Sequence, residues 1–394
     1  MKGQEIYRGN IPELTGIRII GMLSVAIPHL WFNSRIWSVT QIEKFAWIPM
    51  DFFFVLSGFL IAGILLDSRN KKDYYRKFYI HRALRILPAY YFLLFALTGT
   101  MLISRGQYHS LSKEWGSPFW FFIYVGNFVF ASAAAWPRAG MPFGPLWSLQ
   151  IEEQYYLIFP FIVKKLNLKL LTRCMWALLF VSPIVRTVLY LYNHNNPFLQ
   201  YVLSPCRLEG FALGALIAIR FRQGEWKISK SILTCLSAAL VAGLIIFTGL
   251  NTPQTPFESW ATVFNRTIGY TISSITCACL LLWLIVFQGS RITAALRGRF
   301  IMYLGKISYG TYLYHIPVAL ITISLAKSLG LGAYVGGFFY FTISFALTNV
   351  CAALSWRYLE SPLLKLKDRW SGFNSKKEQD RASFNESIPN GSTV

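Results

Sequence analysis

Apolar runs of about twenty residues recur along this chain, and they constrain its fold more than any other feature. Most contain 17 to 23 residues, close to the roughly 20 that an α-helix needs to cross a bilayer core. Backbone polar groups have no water partner in hydrocarbon, so each run is expected to be helical. The sequence therefore predicts an all-α integral membrane protein of about ten transmembrane helices, at residues 16–32, 45–66, 86–104, 148–163, 171–192, 200–220, 231–250, 266–288, 307–326 and 334–356.

The composition supports one membrane domain. Of the 394 residues, 54% are hydrophobic and 14% are charged, whereas a soluble domain has about 25% charged residues. We predict a membrane-embedded domain over residues 1–362 and a polar cytoplasmic tail over 363–394, whose composition is typical of disorder. Residues 118–133 are apolar but short and begin at Pro118. We therefore predict that they are re-entrant or interfacial.

The net charge of +21 has a topological explanation. With the N-terminus inside, the predicted cytoplasmic segments contain 29 of the 38 Lys and Arg residues, and the predicted outer segments contain seven. Cytoplasmic segments of membrane proteins are enriched in Lys and Arg. This distribution predicts that both termini are cytoplasmic. Together with the hydropathy, it excludes a soluble nucleic-acid-binding protein.

Ionisable residues at membrane depth are costly and usually functional. Arg18 and His29 lie on the first predicted helix, eleven residues and about 16 Å apart, and Pro28 is expected to disturb the helix beside His29. Asp51 lies at a similar depth on the second, antiparallel helix. A carboxylate bonded to one imidazole nitrogen fixes the tautomer and makes the other nitrogen a better base. A purely structural ion pair is the alternative interpretation.

The segment HRALRILPAY at residues 81–90 places two arginines at the inner end of the third predicted helix. Arg82 and Arg85 are three residues apart, so they share one helical face. Two guanidinium groups on one face suit a phosphate-bearing ligand from the cytosol. Ordinary cytoplasmic positive charge or contact with a lipid headgroup would give the same pattern.

The segment GPLWSLQIEEQYYLIFP at residues 144–160 combines acidic and aromatic side chains. Adjacent residues on a helix point about 100° apart, so only one of Glu152 and Glu153 is expected to face the protein interior. Trp147 and Tyr155 are typical of an interfacial aromatic belt. They also suit a platform for a sugar ring.

The segment GKISYGTYLYHIPV forms an unusually polar stripe for a membrane helix. Ser308, Tyr312 and His315 have spacings of three or four residues, so they share one helical face. Other polar residues within or beside the predicted helices are candidates for structural pairing or anchoring: Arg186, Arg207, Glu209, Arg357 and Glu360.

These motifs, in this order, resemble acyltransferase family 3, a group of multi-pass membrane O-acyltransferases. The resemblance covers residues 10–362 and rests on LTGIRIIGMLSVAIPHL, DFFFVLSGFLI, HRALRILP, LWSLQIEEQYYLIFP, GKISYGTYLYHIP and WRYLESP. It implies an enzyme of the bacterial inner membrane that moves an acyl group, usually acetyl from acetyl-coenzyme A, to a hydroxyl of a cell-surface saccharide or glycolipid. O-antigen and exopolysaccharide are the typical acceptors, and no metal is implied.

The resemblance also implies roles for individual residues. The essential histidine of the family's first helix corresponds to His29, which would act as a base or carry the acyl group as an acyl-imidazole. Asp51 and Glu152 would be further catalytic residues, with Glu152 near an acceptor presented from outside. The implied donor-binding residues are Arg18, Arg82 and Arg85. The implied acceptor-binding residues are Trp147, Tyr155, Tyr312 and His315. Pro28 and His81 depart from the expected pattern.

Two other classes of protein fit parts of the sequence. A transporter or flippase for a glycolipid or saccharide would use the same buried charges as a translocation path, although the matched broken helices typical of transporter repeats are not found. A non-catalytic partner of a polysaccharide export complex is the third possibility. Many relatives carry an additional esterase-like domain. We expect none here, so the membrane domain or a partner would handle the acceptor.

Overall fold

The computed structural model describes residues 11–31, 47–103, 118–134, 141–224, 228–250, 263–332, 335 and 337–366. Every regular element in these ranges is helical. Each of the ten predicted apolar runs overlaps a long helix. We label these helices α1 to α10 in chain order: Pro12–Leu30, Ile48–Ser68, Tyr74–Ile103, Leu146–Lys165, Leu168–Tyr192, Leu208–Gln223, Lys230–Leu250, Tyr270–Val286, Arg299–Ser328 and Phe338–Ser355.

Six helical segments in the described part of the chain are long and apolar enough to cross a membrane. They are Pro12–Leu30, Ile48–Ser68, Tyr74–Thr100, Leu168–Tyr192, Asn265–Val286 and Phe338–Leu364. The last two include a π-helical turn, at Asn265–Gly269 and at Trp356–Glu360. The predicted all-α membrane class is therefore confirmed at this level.

Three predicted boundaries differ from the structure. Helix α3 begins at Tyr74 rather than at residue 86, so the HRAL segment lies within the helix. The predicted helix over 200–220 is broken into Phe198–Val202, a 3-10 turn at Ser204–Cys206 and α6, because proline lacks the N–H that a continuous helix needs. That proline is Pro205. Helix α9 begins at Arg299 rather than at residue 307.

The predicted re-entrant segment forms two short helices, Phe119–Phe122 and Gly126–Ala133. Tyr124 lies between them with a φ of 57°, which interrupts the helix. Eight residues of α-helix span about 12 Å, so neither piece crosses a bilayer core. The predicted disordered tail lies, from residue 367 onward, outside the described residues.

The helices expose apolar side chains and bury polar ones, as expected for a protein surrounded by lipid. On α10, Phe339, Ile343 and Leu354 repeat along one face and are between 51% and 68% exposed, whereas Ser344 and Thr348 are fully buried. Hydrocarbon is as apolar as these exposed side chains, so association of the helices depends on close packing and polar contacts.

In two pairs of parallel helices, the backbones are in direct contact and no side chain lies between them. A Cβ atom on Gly58 of α2 would lie 2.2 Å from the carbonyl oxygen of Phe211 on α6. A Cβ atom on Gly305 of α9 would lie 2.0 Å from the carbonyl oxygen of Thr15 on α1. Small residues of this kind let helix backbones approach closely in membranes. We call the end where α1 stops and α2 starts the upper end, and the opposite end the lower end.

Candidate active site

A lower cavity, with about 910 Å³ of empty space, lies between α1, α2, α3, α4 and α9. Its walls bring together five predicted site residues: Arg18, Arg82, Arg85, Glu152 and Tyr312. Three guanidinium groups facing one carboxylate make the cavity electropositive, which favours an anionic ligand.

Two of these arginines have no hydrogen-bond partner among the described residues, although they line the protein interior. The guanidinium group of Arg82 lies over the ring of Tyr156, 4.9 Å from its centre. The hydroxyl of Tyr156 donates to Oε2 of Glu152 at 2.8 Å. Arg18 lines the cavity without any such contact. Unpaired donors inside a protein carry a desolvation cost that a bound anion would offset.

The third arginine lies beside the WRYLESP motif. Arg85 is 5.0 Å from the ring centre of Trp356, and Lys306 is 4.7 Å from the same ring. Arg85 also donates to the carbonyl oxygen of Lys306 at 3.4 Å. The motif that we interpreted as an anchor therefore holds a basic cluster against the lower cavity.

A side recess continues the lower cavity toward the lower end of the molecule. Arg18 and Leu60 line both spaces. The recess also contains the ion pair between Arg222 and Asp67, with two contacts of 2.7 and 2.6 Å. The lower cavity is thus connected to the end of the molecule where α2 and α6 finish.

An upper cavity, with about 1,500 Å³ of empty space, contains His29. Its other polar and aromatic lining residues include Trp147, Tyr201, Arg266 and Tyr270. Rings of this size and polarity suit stacking against a sugar, and the single guanidinium group adds one positive charge. Of the predicted acceptor-binding residues, Trp147 and Tyr312 line this cavity.

The two cavities share a wall made by Met50 and Tyr312, which line both of them. The Tyr312 hydroxyl lies 2.7 Å from Oγ of Ser148 and donates to the carbonyl oxygen of Pro145 at 2.5 Å. These contacts fix the ring between the ends of α2 and α4. A reaction between ligands of the two cavities must take place at this wall.

His29 contacts a second histidine rather than a carboxylate. Its Nδ1 is 3.0 Å from Nε2 of His315, and the ring centres are 5.1 Å apart. Nδ1 of His315 lies 2.5 Å from the carbonyl oxygen of Tyr312. His315 is fully buried and lines neither cavity, so the predicted direct contact with the acceptor is not found.

The prediction that Asp51 orients His29 is wrong. Oδ1 of Asp51 accepts a hydrogen bond from Arg207 at 2.7 Å, and both side chains are buried. Arg207 also lies 4.3 Å from the ring centre of Tyr270. Because α2 packs directly on α6, the carboxylate meets a guanidinium group, and a charge-assisted hydrogen bond of this kind is stronger than one to a neutral imidazole.

The neighbouring buried charges pair as the sequence suggested. Arg186 donates to Glu209 and, at 2.8 Å, to the carbonyl oxygen of Thr267. These contacts tie α5 to α6 and to the π-helical turn before α8. We interpret this pair as structural, because it lines neither cavity.

Two further predicted positions differ from the structure. Tyr155 stacks on Phe211 and Phe159, with ring centres 4.3 and 4.6 Å away, so it belongs to the core rather than to an acceptor site. Glu152 lies with the arginines of the lower cavity rather than beside the acceptor. Glu153 does not line this cavity.

Sequence reasoning did not single out Tyr201, Arg266 and Tyr270 as parts of a site. Tyr201 and Tyr270 flank breaks in the helical pattern, on the short helix Phe198–Val202 and just after the π-helical turn. Aromatic residues at such positions resemble interfacial belt residues. Only the packing of these segments over His29 reveals their common cavity.

Comparisons with known proteins give consistent results. The sequence profile of the family described as "Acyltransferase domain" matches residues 11–357. The chain is 26% identical over 388 residues to the peptidoglycan O-acetyltransferase OatA of Listeria monocytogenes. That alignment covers 94% of this chain and 58% of that protein. It is also 26% identical over 386 residues to the O-acetyltransferase OatA of Staphylococcus aureus. That alignment covers 94% of this chain and 60% of that protein. No solved structure gives a significant match.

The chain thus spans less than two thirds of the length of either relative. The matched region contains the motifs from LTGIRIIGMLSVAIPHL to the start of WRYLESP. The family resemblance inferred from the sequence is confirmed.

Proposed function

The chain belongs to the Acyltransferase domain family, and on that premise we propose that it is a membrane O-acyltransferase. It moves an acyl group, acetyl in the first instance, from acyl-coenzyme A to a hydroxyl of a cell-envelope saccharide or glycolipid. The observation that carries this proposal is the pair of cavities that meet at Met50 and Tyr312. Arginines line one cavity, and His29 lines the other.

We propose that all ten long helices lie in the bacterial plasma membrane with both termini in the cytoplasm. The excess of Lys and Arg in the segments at the lower end supports this orientation. The lower cavity then opens toward the cytoplasm, where acyl-coenzyme A is made. The upper cavity faces the cell envelope, where the acceptor saccharide lies.

The donor in this proposal occupies the lower cavity and its side recess. Arg18, Arg82 and Arg85 bind the phosphate groups of coenzyme A, because guanidinium groups form bidentate hydrogen bonds with phosphate oxygens. Tyr156, whose hydroxyl is bonded to Glu152, packs against Arg82 and supports its position. The pantetheine arm points the thioester toward the wall at Tyr312.

The acceptor occupies the upper cavity, with its sugar ring against Trp147, Tyr201 and Tyr270. Nε2 of His29 accepts the proton of the acceptor hydroxyl as that oxygen attacks the thioester carbonyl carbon. The new carbon–oxygen ester bond forms and the carbon–sulfur bond breaks. The coenzyme A thiolate then takes the proton from the His29 imidazolium, so the products are an O-acyl saccharide and free coenzyme A.

Two features favour a cell-envelope glycan as the acceptor. The relatives named above are a peptidoglycan O-acetyltransferase and an O-acetyltransferase. Aromatic rings and a guanidinium group line the upper cavity together, which suits an amphipathic sugar ring with its apolar faces and polar hydroxyls. Peptidoglycan, O-antigen and exopolysaccharide units are the acceptors to be compared.

The proposal is tested by transfer of radiolabelled acetyl from acetyl-coenzyme A in membranes that contain the wild-type protein or His29→Ala. Host saccharide serves as the acceptor, and His194→Ala is the matched control, because His194 is exposed and lines neither cavity. We expect label in the saccharide with the wild type and the control, and loss of label with His29→Ala. Full activity of a correctly inserted His29→Ala protein would refute the mechanism, and movement of unmodified saccharide without label transfer would favour a transporter.

A further inference from the structure

This inference rests on the proposed acyl transfer and concerns the residue behind the proposed base. We propose that His315 is a positioning residue that holds His29 in one tautomer, with the basic Nε2 turned to the acceptor. Asp51, the carboxylate expected to orient His29, is instead bonded to Arg207. The family resemblance implied direct acceptor binding for His315, so this is a different role.

The protonation pattern begins at a backbone carbonyl. The carbonyl oxygen of Tyr312 lies 2.5 Å from Nδ1 of His315, and a carbonyl can only accept a hydrogen bond. Nδ1 of His315 must therefore carry a hydrogen. In the neutral imidazole the other nitrogen, Nε2, is then an acceptor.

The pattern continues to His29. Its Nδ1 is 3.0 Å from the accepting Nε2 of His315, so Nδ1 of His29 must carry a hydrogen and donate it. The remaining nitrogen of His29, Nε2, keeps its lone pair and has no protein partner among the described residues. Since His29 lines the upper cavity, the basic nitrogen of this pair is the one available to an acceptor hydroxyl.

The surrounding structure makes this arrangement rigid. His315 is fully buried, and its bond to Tyr312 joins residues within a single turn of α9. Helix α1 is held against α9 by the close contact of Gly305 with Thr15. Tyr312, which supplies the carbonyl, also forms the wall between the two cavities. One turn of α9 therefore positions both the wall and the base.

The His29–His315 bond is expected to act in the transition state. When Nε2 of His29 accepts the acceptor's proton, Nδ1–H becomes the donor of a cation and its bond to His315 becomes charge-assisted. An interaction that strengthens only in the transition state changes kcat rather than KM. General-base catalysis contributes about 10²–10⁴-fold, and loss of its orientation should remove much of that.

The kinetic test compares His315→Leu with His315→Gln in purified full-length protein in lipid vesicles. The glutamine carbonyl oxygen can take the place of Nε2 as the acceptor for His29, whereas leucine has no polar atom. We expect His315→Leu to lower kcat about 100-fold with little change in KM for acetyl-coenzyme A. His315→Gln should recover most of the lost rate. Equal losses in the two variants would overturn the proposal.

A spectroscopic test does not depend on acyl transfer. Nitrogen-15 NMR of histidine-labelled protein in lipid reports which ring nitrogen carries hydrogen, and the His29 signals are assigned by their loss in His29→Ala. We expect Nδ1–H for His29 in the wild type and the Nε2–H form or a mixture in His315→Leu. Nε2–H in the wild type, or no change in the variant, would overturn the positioning role. The expected tautomers in a protein that transfers no acyl group would instead refute the proposed function alone.

Discussion

The arginines of the lower cavity should recognise the phosphates of the donor and not its acyl group. Arg18 and Arg82 line the cavity and make no hydrogen bond with the rest of the described chain. Each is thus available for a phosphate. Replacing Arg82 with alanine should therefore weaken the binding of acetyl-coenzyme A but not of a donor that lacks phosphate.

The expected size follows from the contacts. A hydrogen bond to a charged group contributes about 1.5–3 kcal/mol, and each 1.4 kcal/mol changes an equilibrium constant about tenfold. Loss of one guanidinium–phosphate contact should raise KM for acetyl-coenzyme A by about 10- to 100-fold. The ring of Tyr156, over which Arg82 lies, remains in place, so the cavity should keep its shape.

The assay compares acetyl-coenzyme A with S-acetyl-pantetheine, which carries the same thioester without phosphate groups. Arg82→Ala should raise KM for the first donor and leave the second nearly unchanged. Arg173→Ala is the matched control, because Arg173 is exposed and lines neither cavity. Equal losses with both donors would show that Arg82 acts on the reaction or the fold and would refute phosphate recognition.

Three further outcomes are expected. Gly214→Ala places a Cβ atom 2.0 Å from the carbonyl oxygen of Val55; the overpacking should cost about 1–3 kcal/mol and lower the melting temperature in detergent. Arg207→Leu leaves Asp51 buried without its partner, which should cost about 3–5 kcal/mol, and a second change, Asp51→Asn, should restore part of the folded yield on size-exclusion chromatography. Tyr312→Ala opens the wall between the cavities and admits water to the thioester, so hydrolysis of acetyl-coenzyme A to acetate and free coenzyme A should increase in a thiol assay without acceptor; an unchanged rate would contradict the assigned wall.

The helices were predictable because membrane burial requires long apolar runs, and the run lengths alone define them. Family resemblance suggested the grouping of Arg18, Arg82 and Arg85, whereas Glu152 was expected near the acceptor and lies with the arginines. The structure explains that grouping by the packing of α1, α3 and α4 around one cavity. Boundaries were less predictable where polar turns extend a helix, as at Tyr74.

The side chain that contacts His29 was not predictable from the depth of each residue in the membrane. Asp51 and His315 both lie at a depth that His29 can reach, and depth does not specify which helix faces which. The close contact of Gly58 with Phe211 packs α2 against α6. Asp51 on α2 therefore lies beside Arg207 and pairs with it. The corresponding packing of α1 against α9 brings His315 within hydrogen-bond distance of His29. Helix pairing, set by small residues, therefore determines the neighbours of Asp51 and His29.

The measurement that tests the central claim most directly is acetyl transfer across a sealed membrane. Purified protein is reconstituted in one orientation in vesicles, with radiolabelled acetyl-coenzyme A on the side of the lower cavity and saccharide acceptor on the side of the upper cavity. The account predicts that label reaches the acceptor only when the two substrates are on opposite sides in this arrangement, and that His29→Ala abolishes the transfer. Label that reaches the acceptor only when both substrates are on the same side would contradict the two-cavity mechanism.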